Sequence, residues 1–60
     1  MAHFIKTKDK QGQWYWIFYA SNGEAIARSS ESYHAEVDCD HSINLVKRDA
    51  PTAQVRRIAA

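Results

Sequence analysis

Cysteine is nearly absent from this sequence, and the chain is short. Its 60 residues include one cysteine, Cys39, so no disulfide can form within the chain. At this length folding buries only about 60% of the surface that the unfolded chain exposes, and small domains usually compensate with disulfides, a metal ion or oligomerisation. We therefore expect a metal ion or a partner chain to stabilise the fold.

Long apolar runs and a charge imbalance are also lacking. No segment approaches the roughly 18 apolar residues of a membrane span, and the N-terminus lacks the apolar core of a secretory signal. The net charge is +1, so attraction to nucleic acid has to come from local clustering. The composition, 45% hydrophobic and 25% charged, is that of an ordinary globular domain. We expect a single domain over residues 1–60, in the cytoplasm and with no membrane partner.

The first half of the chain predicts three strands joined by two tight turns. The predicted strands are residues 3–8, 14–20 and 24–29. The second is the most strand-prone, with five aromatic residues among seven. Gly12 and Gly23 each close a polar turn, and Asn22-Gly23 predicts a type I′ turn with positive φ at both positions.

The second half predicts one helix, from about His34 to the Asp49-Ala50 end. Its apolar stripe consists of Ala35, Cys39, Ile43 and Val46. Ser32 is the expected N-cap, and acidic residues in the first turns with Lys47 and Arg48 in the last suit the helix dipole. Pro51 prevents continuation, and residues 53–58 predict a final strand.

Several short motifs accompany this element order. They are Phe4, the stretch Gly12 to Phe18 centred on Trp16, Asn22-Gly23-Glu24, Ile26, Ser30-Glu31-Ser32-Tyr33, Ile43-Asn44-Leu45-Val46-Lys47, Ala50-Pro51 and Ala53. In these motifs, and in their order and spacing over nearly the whole chain, the sequence resembles the YegP-like domains, a bacterial family of unknown function.

The resemblance implies an α+β fold of β-β-β-α-β order. In this family two such units build one continuous sheet by exchanging their C-terminal strands, either as tandem repeats or as two subunits. This chain holds one unit, so the resemblance implies a homodimer, which would also cover the thin core and open edge of a lone unit. It implies no catalytic residue, and we expect a protein that is not an enzyme.

The second strand is apolar on both faces. Side chains alternate along a strand, so Trp14, Trp16 and Phe18 share one face, and Tyr15, Ile17 and Tyr19 share the other. In the family the positions flanking the central tryptophan are commonly basic or polar, whereas here they are Tyr15 and Ile17. One helix covers one face, and the tryptophan face is the expected core because truncating it would cost about 3–5 kcal/mol.

Tyr15, Ile17 and Tyr19 therefore form the candidate partner-binding face. It is either covered by the second subunit or open to an unidentified protein or small ligand. The alternative function is single-stranded nucleic-acid binding, with bases stacked on the aromatic rings and phosphates held by edge cations. Those cations are Lys6, Lys8, Lys10, Arg56 and Arg57. Edge-strand lysines also serve simply to prevent aggregation, so this alternative is the weaker one.

A metal-binding pattern is present on the predicted helix. His34, Asp38 and His41 fall within roughly 60° of arc at about 100° per residue. A structural zinc site usually needs four ligands, and Cys39 lies about a third of a turn away. We interpret the three as a solvated helix face and Cys39 as a small core residue, and we expect no metal and no cofactor.

Calorimetry with zinc tests this interpretation. The intact chain should show no binding tighter than micromolar, because three ligands on one helix leave the coordination shell incomplete. A tight 1:1 site that is lost in His34→Ala would show that the interpretation is wrong.

Overall fold

Three antiparallel strands and one helix make up the fold. The structure, a computed structural model, describes residues 1–59. The strands lie in the spatial order β1-β2-β3, and the elements are β1 (His3–Lys8), β2 (Trp14–Tyr19), β3 (Ala25–Arg28), the helix α1 (Glu36–Asp49) and a 3₁₀ turn (Ala50–Thr52). The predicted small α+β fold is confirmed, with each of these strands and the helix close to its predicted position.

The turn between β2 and β3 differs from the prediction. The Gly23 N–H donates to the Ala20 carbonyl at 2.9 Å, and the Ala20 N–H donates to the Glu24 carbonyl at 2.8 Å. Gly23 has φ +88°, whereas no residue other than glycine among residues 1–59 has positive φ. The predicted type I′ geometry at Asn22 is therefore wrong. The connection is a three-residue loop that ends in a left-handed glycine, the next most common hairpin form.

The turn between β1 and β2 is built in the same way around Asp9. Gly12 has φ +77°, and its N–H donates to the Asp9 carbonyl at 3.0 Å. The Asp9 carboxylate also accepts the backbone N–H groups of Gln13 and Gln11 at 3.0 and 2.9 Å. These bonds favour the charged form, so they lower the pKa of Asp9.

Ser32 is not the helix N-cap. The helix α1 begins at Glu36, and its N-cap Ala35 makes no side-chain capping bond. The Ser32 hydroxyl instead donates to Asp9 Oδ2 at 2.9 Å. A serine hydroxyl satisfies whichever acceptor lies in reach, and here the Asp9 turn is that acceptor. The bond ties the segment before the helix to the first hairpin.

The core lies between β2 and α1. Trp16 is 6% exposed and Cys39 is fully buried, which confirms both as core residues. The rest of the predicted stripe is less covered, because Ile43 is half-buried while Ala35 and Val46 are exposed. The C-terminal half of the helix therefore leaves apolar surface uncovered.

The predicted final strand is not formed. Residues 53–59 have no strand partner and are exposed. A strand requires a neighbour with which to exchange backbone hydrogen bonds, and the described part of this single chain offers the tail none. Val55 and Ile58 are consequently 99% and 89% exposed.

Substitution of Gly23 tests the loop geometry. A Cβ at Gly23 would meet no atom within 4 Å, so the strain expected in Gly23→Val comes from the positive φ of the backbone. We expect Gly23→Val to lower the free energy of unfolding by at least about 1 kcal/mol, because a β-branched residue is strained at positive φ. Gly23→Asn should cost less. A valine variant that melts like the parent would contradict the assigned turn.

Candidate functional site

The helix covers one face of the sheet, which we call the covered face. On it the Trp16 Nε1–H donates to the Ser42 hydroxyl at 2.9 Å, and that hydroxyl donates to the Cys39 carbonyl at 2.8 Å. Phe4 packs beside the indole, and Phe18 packs beside Phe4, with ring centroids 5.3 Å (Phe4 to Trp16) and 4.7 Å (Phe4 to Phe18) apart. The buried indole N–H is thus satisfied, and the tryptophan face is the core.

Cations of β1 on the covered face already have partners. Lys6 Nζ lies 2.6 Å from Asp40 Oδ1 and 2.8 Å from Glu36 Oε2, both on α1. Hydrogen bonds to these two carboxylates raise the pKa of Lys6. Lys8 Nζ lies over the Trp14 ring at 5.1 Å from its centroid. The charges of both lysines are therefore engaged by contacts within the domain.

The opposite face has no element packed on it within residues 1–59, and we call it the open face. Its side chains alternate with those of the covered face along the paired register. They are His3, Ile5 and Thr7 of β1, Tyr15, Ile17 and Tyr19 of β2, and Ile26 and Arg28 of β3. The two tyrosines and Ile17 are half-buried, whereas Ile5 and Ile26 are 42% and 59% exposed. The sheet thus presents a continuous apolar and aromatic surface.

Two aromatic contacts order this surface. The rings of His3 and Tyr19 stack with centroids 5.4 Å apart, and the Arg28 guanidinium carbon lies over the Tyr15 ring at 5.2 Å. A shallow depression of about 370 Å³ is lined by Ile17, Tyr19, Ile26 and Arg28 together with Ala25 and Ala27. Both tyrosines are therefore held by a neighbour.

The edge cations proposed for nucleic-acid binding are dispersed. Lys6 and Lys8 point to the covered face, and Lys10 lies in the first turn. Arg56 and Arg57 are on the exposed tail. The structure therefore does not bring these five together along the tyrosine row.

The helical histidine pattern does not form a cluster. Residues 1–59 contain no group of three or more His, Cys, Asp or Glu side chains that could hold a metal ion. His34 Nε2 lies 3.4 Å from the Gln13 amide nitrogen instead. Burial raises the pKa of the Cys39 thiol, which leaves it protonated and poorly nucleophilic.

A second cavity, of about 500 Å³, lies on the covered face beyond Trp16. It opens between the C-terminal end of α1 and the sheet, and its lining is almost entirely apolar: Phe4, Trp16, Phe18, Ala27, Val46, Lys47, Ala50 and Pro51. We call it the helix-end cleft. The 14-residue helix ends before it has covered this part of the sheet.

Sequence reasoning missed three residues: Arg28 and His3 of the candidate site and Ser42 of the core beneath it. Arg28 and His3 lie beside the tyrosine row because of how the strands pair. No local sequence pattern reveals that pairing. The signal for Ser42 was present, because a buried indole N–H requires an acceptor and Ser42 lies one turn from Cys39 on the predicted helix.

Residues 1–59 contain no helix long and apolar enough to cross a membrane. No curated protein matches the chain.

Solved structures of similar proteins do match. A protein of Haloferax volcanii, known from solution NMR, is 33% identical, with 95% of each chain covered and a TM-score of 0.85. A protein of Agrobacterium tumefaciens, also known from solution NMR, is 33% identical over 95% of this chain and 90% of that chain, with a TM-score of 0.78. Residues 9–56 match the family described as domain of unknown function (DUF1508). Since that match spans most of the sequence, the chain belongs to the DUF1508 family, the family of YegP-like domains.

Proposed function

We propose that this protein is a homodimeric interaction module, not an enzyme, that binds a protein or small ligand through its open face. The observation that supports this proposal is the surface itself. Tyr15, Ile17 and Tyr19 lie with Ile5 and Ile26 on a sheet face that no element within residues 1–59 covers. Adjacent apolar side chains of this size are usually hidden on a monomer unless they serve binding.

The arrangement suits recognition more than catalysis. The open face carries tyrosines, isoleucines, a threonine, a histidine and an arginine but no carboxylate or thiol. Tyrosine supplies a rigid apolar ring with a polar tip, so it contacts a partner without a large loss of side-chain entropy. His3 and Arg28 hold the two tyrosine rings in place before any partner arrives.

Dimerisation by exchange of the C-terminal tail is the second part of the proposal. No side chain of residues 1–59 fills the helix-end cleft. The tail that follows the helix carries Val55 and Ile58, which are almost fully exposed. These two residues are three apart, so an extended tail directs them to opposite faces. Paired beside β3 of a second copy, one would enter the cleft while the other would extend the open face. The exposed edge of β3 would then gain a hydrogen-bonding neighbour.

Sedimentation tests the dimer. At micromolar concentration the protein should have twice the monomer mass of 6.9 kDa, and dilution should lower its melting temperature. Val55→Asp with Ile58→Asp should yield monomers, because a carboxylate would be desolvated in the cleft. Val37→Asp is the matched control, since Val37 is 69% exposed on α1 and away from the cleft. A stable folded monomer at all concentrations would overturn the dimer.

Titration with indole tests the open face, because this neutral ring stands in for an apolar ligand or an aromatic side chain. The methyl NMR signals of Ile17 and Ile26 should shift as indole is added. Tyr15→Ser with Tyr19→Ser should abolish these shifts while keeping a cooperative melting transition, and the corresponding double phenylalanine variant should retain them. Trp16→Ala should unfold the protein, since truncating a buried tryptophan costs about 3–5 kcal/mol.

Two outcomes would count against this assignment of the faces. If the double serine variant loses its melting transition while Trp16→Ala keeps it, the tyrosine row is core. If an oligothymidine binds the open face and its affinity falls steeply as salt rises, phosphate contacts dominate and the nucleic-acid alternative is favoured. Binding of indole should change little with salt.

A further inference from the structure

Arg28 is the cation that the domain leaves on its open face. Its side chain is exposed, and it forms no ion pair with a carboxylate among residues 1–59. By contrast, Lys6 is bound by two carboxylates, and Arg48 Nε lies 2.9 Å from Asp49 Oδ1. The guanidinium of Arg28 therefore remains available to an external anion.

The contact with Tyr15 positions this guanidinium. Its carbon lies 5.2 Å from the ring centroid, a cation–π distance. The ring face attracts the charge but offers no carboxylate-like acceptor, so the N–H donors of the guanidinium are not consumed. Part of the entropy cost of ordering a long side chain is thus met before a ligand binds.

The depression described above lies directly beside Arg28. Ile17, Tyr19 and Ile26 form its apolar lining, and its volume of about 370 Å³ falls within the range of small-molecule sites. It is shallow and open, which suits a flat molecule lying against the sheet. The edge of a ligand bound in the depression would therefore lie against the Arg28 guanidinium.

Charge is segregated in a way that favours an anion here. None of the strands β1, β2 and β3 contains an acidic residue. The carboxylates Glu36 and Asp40 are bound to Lys6 on the covered face, on the far side of the sheet. An anionic group at Arg28 therefore meets a cation without a neighbouring carboxylate on the strands.

We propose that the depression beside Arg28 binds a flat apolar molecule that carries a single anionic group, a carboxylate or a phosphate. The apolar part lies against Ile17 and Ile26, and the anionic group accepts hydrogen bonds from the guanidinium. One arginine matches one anionic group, whereas a nucleic-acid strand requires a track of cations that the open face lacks. This inference rests on the proposed use of the open face for binding.

Three matched probes test it on the intact chain: benzoate, phenyl phosphate and the neutral benzyl alcohol. Binding is followed by NMR through the Arg28 Nε–H signal and the methyl signals of Ile17 and Ile26. At least one of the anions should bind about tenfold more tightly than benzyl alcohol. Comparison of benzoate with phenyl phosphate then distinguishes a carboxylate from a phosphate ligand.

Variants separate the role of Arg28 from the role of the surface. Arg28→Gln should reduce the affinity for the anions to that for benzyl alcohol, so that the preference for an anionic probe is lost. Arg28→Lys should retain part of the preference, because it keeps the charge without the planar fork. Arg48→Gln is the matched control and should retain the full preference.

Equal affinity for the anionic and neutral probes would overturn this inference and leave the proposed binding by the open face standing. An anion preference that survives Arg28→Gln would also overturn it. If no probe, indole included, shifts the signals of Ile17 and Ile26, both the inference and the proposed function fail.

Discussion

The buried indole of Trp16 is the interaction on which the architecture depends. A tryptophan that is 6% exposed needs an acceptor for its N–H, and Ser42 of the helix supplies one at 2.9 Å. The same hydroxyl donates to the carbonyl of Cys39, the fully buried residue of the helix. Lys6 of β1 also joins the sheet to the helix, through the carboxylates of Glu36 and Asp40. These links all lie on one side of the sheet, so the helix has one place to dock.

The open face is a consequence of that docking. Strand alternation places the tyrosines on the face opposite Trp16, and the one α-helix of the described residues already covers the Trp16 face. The same alternation sorts the charges, because Lys6 meets the acidic face of the helix while Arg28 stays on the other side over Tyr15. Burial of the core and exposure of a cationic aromatic surface therefore have one common cause.

The sequence could predict features set by local chemistry. The strands, the alternation of β2 and the burial of Cys39 follow from composition and periodicity, and all are observed. The errors concern choices that depend on distant partners. Ser32 is the predicted helix cap, yet its hydroxyl donates to the Asp9 carboxylate, 23 positions away in the sequence. The tail 53–58 has strand propensity without a strand beside it, and propensity alone does not form a ladder.

Only the part of the candidate site that lies within one strand could be predicted from the sequence. Tyr15, Ile17 and Tyr19 share a face by alternation within one strand, whereas the contribution of β3 depends on register. The register between β2 and β3 shifts between Phe18 and Tyr19. Counting alternate residues from β2 through the turn therefore does not predict which side chains of β3 lie on the open face. Only the structure shows that Arg28 lies beside the tyrosine row. The irregularity in the ladder thus determines which charge the aromatic surface carries.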